Sequence, residues 1–156
     1  MRYLLILLFA GCAAVTVPPD DNSSPICKVP EHRFMEVITS ILDYHWERRF
    51  GPMPEHCKTA GFQVVIAAGD PEYYATCPPG TRACQLTCGG VYTALIHPNY
   101  MHDWDLIPHE YAHAMDSCVN DNVDYEHENP ELWGTCGFVM SLMPEGNPFE
   151  DTCMEI

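Results

Sequence analysis

The sequence predicts an α+β domain on three observations: a helical apolar stripe early in the chain, an apolar run bounded by glycines, and two apolar runs separated by Gly89-Gly90. Between Glu31 and Phe50, apolar side chains fall at Phe34, Val37, Ile38, Ile41, Leu42 and Trp46 with charges between them. That spacing gathers them on one face of a helix, which Gly51-Pro52 stops. The run from Phe62 to Ala68 is a strand, bounded by Gly61 and by Gly69-Asp70-Pro71. The runs from Gln85 to Cys88 and from Val91 to His97 flank Gly89-Gly90 and predict a β-hairpin with a two-residue turn. A proline is tolerated only near a helix start, so the next helix begins close to Pro108, with Asp105 or Ile107 near its cap and His109 in its first turn. Asn129-Pro130 supplies a cap and a first helical residue, and a following helix is expected from Glu131 to Met140.

The start of the chain is not part of this domain. Met1-Arg2-Tyr3 precedes a short apolar run from Leu4 to Ala10, too short to span a bilayer and suited to an export signal over residues 1–11. Phe9-Ala10-Gly11-Cys12 resembles the lipobox of bacterial lipoproteins, which implies cleavage before Cys12, lipid on its thiol, and a cell-envelope location at a membrane face. An ordinary secretory signal cut after Ala13-Ala14 is the alternative. Residues 12–28 hold Pro, Asp and Ser without apolar periodicity, as a tether would, leaving residues 29–156 as the domain.

Cysteine usage agrees with export. There are nine cysteines; without Cys12, the remaining eight (Cys27, Cys57, Cys77, Cys84, Cys88, Cys118, Cys136 and Cys153) suit four disulfides in an oxidising compartment, with no pairing assignable from sequence. Such bridges supply what a core of roughly 145 residues lacks. Against 22 acidic residues stand 7 basic ones, for a formal net charge of −15. That excess argues against a nucleic-acid partner and against electrostatic adsorption to anionic lipid, so any membrane association is expected through the lipid anchor alone.

One segment carries chemistry: His109-Glu110-Tyr111-Ala112-His113. Residues four apart on a helix lie about 40° apart around its axis, so both imidazoles can reach one metal ion while Glu110 flanks a water on it. With this motif the chain resembles the zincin metallopeptidases, whose core is a helix, a small sheet with an edge strand, and an active-site helix carrying His-Glu-x-x-His. The resemblance implies Zn2+ as cofactor, His109 and His113 as zinc ligands, Glu110 as general base, and a peptide or protein as substrate. The predicted fold is then a small zincin-like α+β domain with an N-terminal helix, a mixed or antiparallel sheet, the active-site helix and a following helix, braced by disulfides. A substrate strand is expected to add along the run from Val91 to His97.

A catalytic zinc needs a third protein ligand. The metzincin pattern is disfavoured, because Asp116 and Val119 stand where it asks for Gly and His. In the gluzincin branch the third ligand is a glutamate on a following helix, and Glu131-Leu-Trp-Gly resembles the stretch around that ligand in lethal factor-like zincins. Glu131 is therefore the expected ligand, with Glu128 and His127 as alternatives. The same resemblance suggests Tyr125 for the oxyanion, although it sits one residue out of register. Asp116 is read as an acceptor for an imidazole N–H. A different class also fits the composition: a non-catalytic, disulfide-braced envelope lipoprotein or metal-binding module.

Overall fold

The computed structural model describes residues 33–121, 124 and 126–142, with side chains from residue 38 onward. The signal segment, Cys12, the tether and Tyr125 lie outside the described residues.

Helix α1 (Arg33–Phe50) forms where the stripe predicts it and buries Leu42 and Trp46, but Ile41 of that stripe is 51% exposed. A short α2 (Glu55–Ala60) leads into β1 (Phe62–Ile66), and α3 (Asp70–Tyr74) into the hairpin β2 (Ala83–Cys88) and β3 (Val91–Ile96). Both turn glycines have positive φ, 58° at Gly89 and 86° at Gly90, the conformation that closes a two-residue hairpin without splaying the strands. A 3-10 turn (Pro98–Tyr100) then precedes α4 (Leu106–Asn120), which carries Pro108 in its first turn as expected.

The sheet is mixed, in the order β1-β3-β2, with β1 parallel and β2 antiparallel to β3. This corrects the expected substrate strand. The run beginning at Val91 is the central strand, paired on both sides, so its backbone groups are committed to the ladder. The antiparallel edge of the described sheet is β2.

Strand alternation divides the interior into two layers. On one face Phe62, Ala83, Ala94 and Ile96 join Leu42 and Trp46 of α1 and Tyr111, Ala114 and Met115 of α4. On the other, Val65, Leu86 and Leu95 enclose Tyr73 with Cys77, Cys84 and Cys88. One disulfide, Cys77–Cys84, braces this second layer, and another, Cys57–Cys118, ties α2 to the end of α4. Cys88 and Cys136 are disulfide-bonded as well.

The helix expected from Glu131 to Met140 is instead two short pieces, α5 (Pro130–Trp133) and α6 (Phe138–Ser141). Gly134 breaks it with ψ 167°, and Gly137 repeats the extension with ψ 170°. The chain doubles back so closely that a Cβ on Gly134 would meet the Pro130 carbonyl oxygen at 2.5 Å, and one on Gly137 the Leu132 oxygen at 2.6 Å. Only glycine allows that approach.

Candidate metal centre

Helix α4 is buried along most of its length, including every residue from Glu110 to Asp116. It packs beneath the sheet, with Tyr111 edge-on to Phe62 at 5.3 Å between ring centroids and edge-on to Trp46 at 6.2 Å. The Tyr111 hydroxyl donates to Asp43 Oδ1 on α1 at 2.5 Å. Tyr111 therefore anchors one face of α4, and the helical period turns its neighbours His109 and His113 to another.

Those two rings lie 5.0 Å apart between centroids. His127, 14 residues beyond His113, completes the group: its Nε2 lies 3.2 Å from that of His113, and its ring 4.9 Å from that of His109. Donor nitrogens of all three lie within 4.8 Å of one another, a spacing at which they could hold a metal ion. Among the described residues, this group takes its third donor from His127 and not from Glu131. Glu131 is exposed in the first turn of α5, where its N–H donates to Asn129 Oδ1 at 3.0 Å, so its carboxylate stands at a helix N-terminus. Glu128 is likewise exposed. Glu110 is fully buried, next in sequence to His109.

His127 owes its place to an irregular loop organised by Asp124. Asp124 Oδ1 accepts the Glu128 N–H at 2.9 Å, and Oδ2 accepts the Asn129 N–H at 2.7 Å and the Trp133 indole N–H at 2.8 Å. The His127 N–H in turn donates to the Asp124 carbonyl oxygen at 3.3 Å. His127 itself has φ 57°, a left-handed conformation uncommon outside glycine. Trp133 packs against all three imidazoles, with centroids 5.0 Å from His109, 4.5 Å from His113 and 4.4 Å from His127. The indole is thus an apolar wall of the centre.

Electrostatics keep these histidines neutral. Burial, followed by the neighbouring His113, His127 and Arg82, pushes His109 down to about 3. Burial and His127 push His113 down to about 3, against the opposing pull of Asp124. Burial lowers His127 too, again opposed by Asp124. Near neutral pH each ring therefore offers a lone pair without first losing a proton. Burial tends to raise the Asp124 carboxyl, but its three N–H donors outweigh that and hold it below its ordinary value.

Other candidates have other roles. Asp116 Oδ1 accepts from Asn120 Nδ2 at 2.7 Å, so the hydrogen bond described for it joins a neighbouring turn of α4 and not an imidazole. His97 is buried, its Nδ1 accepting the Asn99 N–H to cap the 3-10 turn and its Nε2 lying 3.2 Å from Asp70. His56, Cys57 and Cys118 also bring donor atoms within 4.8 Å of one another, but the two sulfurs are joined to each other and offer no thiolate.

Comparison with protein-family models, with curated proteins and with solved structures gives no match.

Proposed function

We propose that the protein is a zinc-dependent metallopeptidase whose ion is held by His109, His113 and His127, with Glu110 as general base. The observation that supports it most is the convergence of His127 on the two helical histidines, since a catalytic zinc asks for three protein ligands and an open position. Three neutral imidazoles suit zinc, copper, iron or nickel; the His-Glu-x-x-His motif favours zinc among them. A zinc held by these three rings would lower the pKa of a water on it to around 7 and polarise a scissile carbonyl. Glu110 accepts the proton as water attacks the carbonyl carbon, then passes it to the leaving amine. Tyr125 remains the proposed donor to the developing oxyanion. An extended peptide adding to the antiparallel edge β2, in place of the central β3, fits a peptidase of this kind. The proposed setting is the outer side of a membrane, with the domain tethered through lipidated Cys12.

Zinc analysis of purified protein, followed by Glu110→Gln, tests this. The expected outcome is one tightly held zinc per chain in both proteins, and hydrolysis of a broad peptide library only by the wild type. A zinc-loaded wild type with no Glu110-dependent hydrolysis would leave a metal-binding module and end the peptidase proposal.

A further inference from the structure

We infer that Asp124 is a positioning residue for the third ligand: its carboxylate sets the turn that presents His127 to His109 and His113, and through Trp133 it fixes the wall on which all three rings pack. This rests on the metal-site reading above and deepens it. A carboxylate beside three imidazoles could itself be taken for a ligand. Here both oxygens are already engaged, Oδ1 by the Glu128 N–H and Oδ2 by the Asn129 and Trp133 N–H groups, so three of about four lone-pair sites are filled by fixed donors. Two of those donors belong to residues just after His127, and the His127 N–H closes back onto the Asp124 carbonyl. The ligand is therefore bracketed on both sides by one residue.

The bracket has a local cost to offset. A non-glycine residue held at φ 57° is strained, and it persists only where its surroundings determine it. The charge-assisted bonds to Asp124 supply that determination. Without the carboxylate, the loop can relax to negative φ at His127, and the ion must reorder it on binding. The indole bond links the same carboxylate to the ring wall, so loss of Asp124 also frees Trp133 against His113 and His127.

The test is a competition titration of the metal-free full chain with Zn(II) against a chromophoric chelator, with Co(II) visible absorption as a second readout. The variants are Asp124→Ala, Asp124→Asn, His127→Ala and the double variant His127→Ala/Asp124→Ala. Asp124→Ala is expected to weaken zinc about 10- to 100-fold, as losses of outer-shell partners do, and to change the Co(II) spectrum. Asparagine keeps one acceptor oxygen for the Asn129 and Trp133 N–H groups, so Asp124→Asn should recover most of the affinity. If Asp124 acts mainly through His127, adding Asp124→Ala to His127→Ala costs only a small part of the loss that Asp124→Ala causes alone, the remainder coming from the freed Trp133 beside His113. A folded Asp124→Ala protein with wild-type affinity, or a full further loss in the double variant, would overturn the inference. Should alanine prevent folding, the milder asparagine loss and its disappearance in a His127→Ala background decide the same question. Failure of the wild type to bind zinc through His109 and His113 would appear in the parent protein and strike the metal-site reading itself.

Discussion

Two donors of the candidate metal centre stand on a regular helix and the third on a loop, and the two parts are held in different ways. His109 and His113 project from α4, whose turn spacing alone brings their rings to 5.0 Å, and whose other face is locked to the core through Tyr111. His127 has no repeating backbone behind it. It depends on the Asp124 hydrogen bonds and on a left-handed residue, features that only the folded loop assembles. Preorganisation on the helix is a property of secondary structure; preorganisation on the loop is a property of one carboxylate.

Replacing ligands one at a time breaks this comparison most strongly. His113→Ala removes the deeper helical donor, and zinc affinity should fall at least about a thousandfold, since what remains is one helical histidine and a loop histidine that needs both helical rings as partners. His127→Ala leaves a His-x-x-x-His pair already aligned by the helix and should retain more affinity than His113→Ala. Isothermal titration of the two apo variants with Zn(II) checks the order. Equal losses would mean that the helix confers no advantage over the loop.

The same contrast explains what could be read from the chain. Period 3.6 made α1 legible, period 2 with Gly89-Gly90 made the hairpin legible, and the spacing from His109 to His113 announced two candidate donors, because each depends only on near neighbours in sequence. The strand order did not follow: that the run from Val91 ends in the centre of the sheet depends on β1 pairing with it from a distance, and no local pattern encodes that. The third donor of the candidate centre was only partly legible. Glu131 follows Asn129-Pro130 at the start of a predicted helix, so its helix-start role and a ligand role shared one sequence signal. His127 stood in a polar loop as an alternative to Glu131, with no local pattern to rank it first. A usable hint was the run from Asp124 to Pro130, an acidic residue poised to accept N–H groups four and five residues on before a capped helix. The break at Gly134 and Gly137 shows two glycines in four residues outweighing an apolar pattern.

Acid weighs most on the helical rings of the metal-free protein, with His127, also lowered by burial, acting in the same sense. His109 and His113 titrate near 3 when folded and near 6.5 when unfolded, so below pH 6.5 the unfolded chain binds protons that the folded one refuses. Their contribution to stability is complete above pH 6.5 and is lost as pH falls toward 3, at up to about 1.4 kcal/mol per pH unit for each ring. Asp43 and Asp116, whose folded values are raised by burial, act in the opposite sense and offset part of the loss once pH approaches the carboxylate range. Asp124, with its lowered value, adds its own loss as pH falls below about 3.8. Urea unfolding of apo protein between pH 7 and pH 4 should show stability falling from about pH 6.5, and a His109→Gln/His113→Gln variant should flatten that fall. A profile unchanged in the variant would mean that the helical rings do not carry it.

The smallest effect expected is also the cleanest control on the helical half. Tyr111→Phe keeps the ring that packs on Phe62 and Trp46 and removes only the hydroxyl that donates to Asp43. Asp43 is half-buried on α1, and burial already pushes its carboxyl up, with the Tyr111 bond pulling it down; without that bond the carboxyl should titrate higher still. Loss of one charge-assisted hydrogen bond should cost about 1–3 kcal/mol of folding stability, moderated because Asp43 can turn toward water. The helix remains clamped by its apolar face and by Cys57–Cys118, so the two ligands it carries should not move relative to each other. Zinc affinity is therefore expected to stay within about twofold of wild type while the melting temperature drops. A parallel loss of affinity would show that the α1 contact, and not helical spacing alone, sets the geometry of His109 and His113.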